Sequence, residues 1–234
     1  MTVRRRRPAG LAPLLALAAA AGCVAFGRGA GPRPEPPLDR ALLLDPTAPL
    51  WSTPAPDSFR VRFETEGGPF LLQVHRAWAP RGVDRFWQLA RAGFFDDSRF
   101  LRVRAGFIAQ FGVPGDPTVA AVWRTRAIPD DTVRTPQSNA RGYLSFAMTG
   151  PGTRTTQLFI SLGDNARLDA QGFLPIGRVV RGMDVVQALY SGYGEKSGGG
   201  MRAGRQDSLF LGGNAWLDRR YPRLDRIVSA SVLR

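Results

Sequence analysis

The chain reads as a mainly β protein on three observations. Short runs in which apolar and polar residues alternate recur from residue 59 to the C-terminus. Turn-forming Gly, Pro, Asn and Asp separate them, and only two stretches carry helical periodicity. With 234 residues, 44% of them hydrophobic, the chain can fill one core and still carry appendages. Several short strands with two helices argue an all-β barrel over an α/β sheet.

Residues 1–23 read as a targeting segment. Arg4 to Arg7 form a basic start, residues 11–21 a short run rich in Leu and Ala, and Ala20, Ala21 and Gly22 precede Cys23. This resembles a bacterial lipoprotein signal, in which the cysteine is lipidated and becomes the new N-terminus. Ala20 departs from the leucine that pattern prefers. Ordinary secretory cleavage and an uncleaved anchor are the competing readings. The expectation is an exported protein, lipid-anchored to the cell envelope through Cys23, or secreted or periplasmic if Cys23 is unmodified. No stretch has the ~18 consecutive apolar residues of a membrane-spanning helix.

Residues 24–56 read as a flexible linker, Gly-, Pro- and Arg-rich between 27 and 37, with little to bury. Ala41 to Leu44 are its one candidate for docking. The folded domain is expected over residues 57–234. Residues 59–65 and 70–74 alternate around Gly67-Gly68, a hairpin signal. Residues 80–92 read as a helix, with Pro80 in its first turn, Val83, Phe86, Trp87 and Ala90 on its apolar face and Gly93 after its end. Residues 113–139 form a long irregular connection of the kind that often borders a site. Strands follow at 142–148, 157–162 and 176–180, a second helix at 182–192, a Gly-rich loop at 197–214 and a closing strand at 226–233.

Residues 100–112, Phe-Leu-Arg-Val-Arg-Ala-Gly-Phe-Ile-Ala-Gln-Phe-Gly, carry the functional signal. Alternation puts Phe100, Arg102 and Arg104 on one side, and Gly106 permits a bend before Phe107, Ile108, Gln110 and Phe111. An arginine among aromatics suggests a lined cleft with a preset donor, or else an edge strand with solvated charges. Residues 142–165, GYLSFAMTGPGTRTTQLFISLGDN, supply a second motif.

Together these stretches resemble the cyclophilin family of peptidyl-prolyl cis-trans isomerases. The family's form F-x-R-x-x-x-G-F-x-x-Q-x-G is met by Phe100, Arg102, Gly106, Phe107, Gln110 and Gly112. Its second signature is met by Ser145, Ala147, Gly150, Pro151, Thr153, Gln157, Leu158, Phe159 and Ile160. The resemblance implies a closed eight-stranded antiparallel β-barrel capped by two α-helices. It implies isomerisation of X-Pro bonds in proline-containing polypeptides, with Arg102 as the catalytic arginine and Gln110 orienting it or binding substrate backbone. Phe107, Phe159 and Leu168 would line the proline pocket. Ala147 and Gln157 would line the groove beside it, and Phe173 falls near the remaining pocket position. Without the resemblance, the aromatic and aliphatic members of this set read as ordinary core. Leu101, Met148 and Arg167 depart from residues common in the family; Arg167 stands where a tryptophan is associated with tight cyclosporin binding, which implies weak sensitivity.

The formal charge of +13 comes almost wholly from arginine, dispersed apart from Arg4 to Arg7, so no nucleic-acid patch is expected. One histidine, His75, and one cysteine supply no metal cluster and no intramolecular disulfide, and no metal or cofactor is expected. A monomer is expected. The rival reading on the same fold is a non-catalytic module that holds proline segments as a chaperone or scaffold; the intact arginine, phenylalanine and glutamine set disfavours it.

Overall fold

A computed structural model describes residues 34–35, 38–132, 136–198 and 206–233. Residues 1–23, with Cys23, lie outside the described residues, as does the part of the expected linker up to residue 33.

Nine strands form a single antiparallel sheet: β1 Ser58–Thr65, β2 Gly68–His75, β3 Ser98–Arg99, β4 Arg102–Arg104, β5 Ile108–Phe111, β6 Tyr143–Phe146, β7 Leu158–Ser161, β8 Pro175–Arg181 and β9 Arg226–Leu233. Their order across the sheet is β3-β9-β1-β2-β8-β6-β7-β5-β4. The expected closed eight-stranded barrel with two helical caps is therefore not what forms. The sheet curves into a half-barrel and stays open, with its margins about 9 Å apart, twice the ~4.8 Å of hydrogen-bonded neighbours. The margins are β3 and β4, which are consecutive in the chain with only Phe100 and Leu101 between them. Two residues carry the chain from one margin to the other, but leave no length for a turn that would fold β4 back alongside β3.

Four helical segments accompany the sheet among the described residues: α1 Pro80–Arg91, α2 Pro117–Trp123, α3 Met183–Gln187 and α4 Asp207–Arg220. The last is broken in two at Gly213, whose φ of 52° and ψ of −147° lie outside helical space. Helix α2 lies in the connection read as irregular, where Asp116 caps it by accepting from the Thr118 N–H at 2.8 Å. Helix α4 begins in the stretch read as a Gly-rich loop.

The hollow of the sheet holds the main core. Alternate residues of the long strands, Phe59, Val61 and Phe63 on β1, Phe70, Leu72 and Val74 on β2 and Ala230 and Val232 on β9, pack against Val83, Phe86 and Leu89 of α1. Phe63, Phe95, Phe100 and Phe111 join by ring contacts, with Phe100 and Phe111 centroids 5.4 Å apart. Phe100 thus faces the core and not the side shared by Arg102 and Arg104. The strand alternation drawn through residues 100–104 fails because β4 starts only at Arg102, and the crossing at Phe100–Leu101 resets its phase.

The segment 38–56 packs on this body. Two 3-10 turns, Arg40–Leu44 and Pro49–Ser52, bring Leu43 to full burial and set Trp51 edge-on against Trp123, centroids 4.4 Å apart. Composition alone does not reveal this, because only a few scattered residues, Leu43, Ala48, Leu50, Trp51 and Ala55, are buried or packed on the core.

Candidate active site

The outer face of β4, β5 and β7 carries the site. In an antiparallel ladder, directly opposed residues share a face. Arg102 on β4 opposes Gln110 on β5, and Gln110 in turn opposes Phe159 on β7. Ile108 lies two residues from Gln110 on the same face, while Val103, Ala109, Phe111, Leu158 and Ile160 point the other way into the core. The apolar neighbours of Gln110 in sequence are therefore behind it in space.

Ile108, Phe159 and Leu168 form an apolar cluster distinct from the main core, with Phe107, Ala147 and Phe173 packed against it. Phe173 meets Phe159 edge-on at 5.7 Å. These residues line a cavity of about 650 Å³ together with Arg102, Gln110 and Gln157, so every expected site residue among those described opens on one cavity. The aromatic members Phe107, Phe159 and Phe173 lie outside the main core, in the smaller cluster. Cys23 is not among the described residues.

One wall is the segment from Leu162 to Phe173, held by Asn139, which is fully buried. Its Nδ2 donates to Asp169 Oδ1 and to the Phe173 carbonyl, both at 2.7 Å, and its Oδ1 accepts from Ser145 on β6 at 2.7 Å. Asn165 Nδ2 donates to the Phe107 carbonyl at 2.8 Å and fixes the opposite wall. Burial works against the charge of Asp169, but hydrogen bonds from Ser138 and Asn139 outweigh it and hold its carboxyl below the usual range. Gly163 must lack a side chain here, because a Cβ would lie 2.4 Å from the Gly106 carbonyl oxygen.

The polar end is a chain of side chains. Arg102 Nη1 donates to Gln110 Oε1 at 2.9 Å, Gln110 Nε2 to Gln157 Oε1 at 2.9 Å, and Gln157 Nε2 to Gln206 Oε1 at 2.9 Å. Gln206 Nε2 closes the run on the Gly198 carbonyl at 3.1 Å. Glu195 meets the other edge of Arg102, Oε2 at 2.6 Å from Nε and Oε1 at 2.8 Å from Nη2. Arg104, Arg124 and Arg167 also line the cavity, and among the described residues no carboxylate does. Arg167 stacks on Phe107, 4.8 Å from its centroid.

Such a site offers an apolar slot for a small ring, an arginine beside it and a buried glutamine linking the two. It holds no nucleophile backed by a base. Among the described residues no group of three or more His, Cys, Asp or Glu is placed to hold a metal.

A family model described as "Cyclophilin type peptidyl-prolyl cis-trans isomerase/CLD" matches residues 60–206. The chain belongs to the cyclophilin family. Peptidyl-prolyl cis-trans isomerase CYP18-2 of Arabidopsis thaliana is 33% identical over 136 residues, 56% of this chain and 80% of that protein. Peptidyl-prolyl cis-trans isomerase ppi1 of Schizosaccharomyces pombe is 32% identical over 133 residues, 55% and 83% respectively. In fold, this cyclophilin is similar to the crystal structure of a cyclophilin type peptidyl-prolyl cis-trans isomerase of Cryptosporidium parvum. The TM-score is 0.53 at 19% identity, over 75% of this chain and 97% of that one.

Sequence reasoning missed several residues of this cyclophilin's site, Arg124 among them. Glu195 and Gln206 lie 93 and 49 residues from the partners they hold, in a Gly-rich stretch without periodicity. Phe210 sits on α4, beyond the segment the family model matches, and Asn139 ends a long connection. Asn139 alone left a trace, as a small polar residue beside a strand start; the others left none.

Proposed function

We propose that Arg102 is the group through which this isomerase lowers the barrier to X-Pro rotation. That barrier, ~18–20 kcal/mol, is mostly lost amide resonance. In the twisted state the prolyl nitrogen regains a lone pair, and a guanidinium donating to it stabilises that state above either planar one. Raising a rate from ~10⁻² to ~10³ s⁻¹ corresponds to roughly 7 kcal/mol. One charge-assisted bond in a dry slot, with the flanking peptide gripped, is of that order. The observation that carries this reading is the position of Arg102, tied to the buried Gln110 at the end of the apolar slot of Phe107, Phe159 and Leu168. Gln157 and Ala147 line the same cavity, which supports their contact with the peptide beyond the proline.

The deciding experiment is isomerisation of an Ala-Ala-Pro-Phe peptide by the full chain and by Arg102→Ala. Strong acceleration that falls by orders of magnitude in the variant is expected. A folded wild-type protein that binds the peptide without accelerating it would leave the proline-binding module as the better account.

The site of action is proposed from residues 1–23, which support export in a bacterium and lipidation of Cys23 at the cell envelope. The clients would then be extracytoplasmic proteins in the course of folding, met by a monomer. Labelled palmitate incorporated by the wild type and not by Cys23→Ser tests the anchor.

A further inference from the structure

Residues 193–198, beyond α3, reach back over Arg102 and bring a carboxylate that the reaction as described does not use. We propose that Glu195 is a positioning residue, which clamps the Arg102 guanidinium in its working orientation; this rests on Arg102 being the donor to the prolyl nitrogen.

The donors of Arg102 decide the argument. A guanidinium has five N–H groups. Glu195 takes one on Nε and one on Nη2 in a side-on bidentate pair, and Gln110 takes one on Nη1. One donor on Nη1 and one on Nη2 remain for the peptide. A long side chain that must be ordered on each encounter loses rotamer freedom each time, whereas a side chain held on two edges has lost it in advance. Glu195 and Arg102 have side-chain exposures of 22% and 16%, so solvent screens the pair only in part.

The loop is itself secured. Gly194 bridges to Val103 of β4, next to Arg102. Tyr221 Oη donates to the Lys196 carbonyl at 3.1 Å, and Gln206 Nε2 to that of Gly198 at 3.1 Å. A Cβ on Gly198 would lie 2.8 Å from the Arg102 Cβ, so the loop backbone rests directly on the arginine stem. The hydrogen-bond run from Arg102 through Gln110, Gln157 and Gln206 returns to this same loop, and Glu195 completes a ring around the guanidinium. Arg104 also reaches Glu195, at 3.3 Å, and holds the carboxylate from its other side.

The test compares the full chain with Glu195→Ala, Glu195→Gln and Glu195→Asp, resolving kcat and KM for the Ala-Ala-Pro-Phe peptide and recording the Arg102 Nε–H resonance. Glu195→Ala is expected to lower kcat about tenfold or more while KM moves less than about threefold. The distinct Nε–H resonance should disappear with it, and Glu195→Asp should recover part of both. Glu195→Gln, close in shape, is expected to fold if Glu195→Ala does not, and to lose kcat in the same sense. An unchanged or raised kcat in folded Glu195→Gln overturns the proposal, and so does a lost kcat with the Nε–H resonance intact. An inactive wild type would instead sink the role of Arg102; an active wild type that needs Arg102 but not Glu195 would sink only the clamp.

Discussion

The indole Nε1 of Trp123 donates a 2.8 Å hydrogen bond to the carbonyl of Leu43, 80 residues earlier in the chain. Both residues are essentially fully buried, so the segment ahead of β1 completes the wall that α2 presents to the core. Leu43→Ala is expected to cost about 2–4 kcal/mol, read as a lower urea midpoint with an unchanged slope. Deleting residues 1–56 should cost more, because it also leaves the buried Trp123 donor unpaired.

Asp131 ties the connection after α2 to two other elements. Its carboxylate accepts from the Arg81 and Gly82 N–H groups at the start of α1, at 2.7 and 3.1 Å, and from Arg154 Nη1 at 2.9 Å. Side-chain exposures of 2% and 6% place this pair in the interior. Asp131→Ala should destabilise by about 1–3 kcal/mol, since it leaves the Arg81 and Gly82 N–H groups unmet and Arg154 with the more exposed Asp130 alone, 3.3 Å away, as its acid partner among the described residues. Replacing both residues by apolar ones of similar volume should cost much less, and calorimetry of the three proteins measures the difference.

Gln110 is the one residue that touches both Arg102 and Gln157. Gln110→Ala leaves one donor of the guanidinium unmet and removes the nearer of two donors to Gln157 Oε1, which keeps Gln206 Nε2 at 3.3 Å, at about 1–2 kcal/mol. The expected outcome is a fall in kcat/KM of roughly one to two decades with a small loss of stability, which peptide kinetics and a melting curve separate.

Acid should act on the site through two carboxylates. Burial opposes the charge of Glu195, but hydrogen bonds from Arg102 and the charges of Arg102 and Arg104 prevail and hold its carboxyl below the usual 4.5. Asp169 is likewise held below 3.8. A depressed folded-state value means stability that is fully present above the unfolded value and lost as pH falls through the folded one. Isomerase activity and resistance of the loop to proteolysis should therefore stay level from pH 7 to 4.5 as far as these groups are concerned, and decline together only below 4. A decline centred near pH 6 would contradict this.

Among the described residues four arginines and no carboxylate line the cavity, and Glu195 and Asp207 pair with Arg102, Arg104 and Arg124. Peptides with Glu flanking the proline should be turned over with higher kcat/KM than their Gln counterparts at low salt, and the ratio should shrink toward one by about 0.5 M salt. Arg167→Ser should reduce the ratio.

The motifs of residues 100–112 and 142–165 bring Arg102, Phe107, Gln110, Gln157 and Phe159 to one cavity because each lies in or beside strands of fixed short-range register. The helix α1 and the strand β9 were legible from periodicity and caps. Whether β4 would close on β3 was not, since closure depends on two residues whose apolar character fits either outcome. Helix α4 was hidden by Gly212 and Gly213, which read as loop; the chain uses Gly213 for a kink, where a Cβ would lie 2.2 Å from the Gly115 carbonyl oxygen. The clamp on Arg102 was out of reach for another reason: nothing local marks a glutamate whose partner is supplied by a strand 93 residues away.

The open margin of the sheet gives residues 193–198 a second consequence. β4 is paired on one side by β5, and among the described residues its other side meets the Val103–Gly194 bridge. A bare strand margin is a template on which another molecule's strand can add. By lying across it, the loop guards the protein against its own copies. Changes that lift it should announce themselves as concentration-dependent self-association, visible by light scattering.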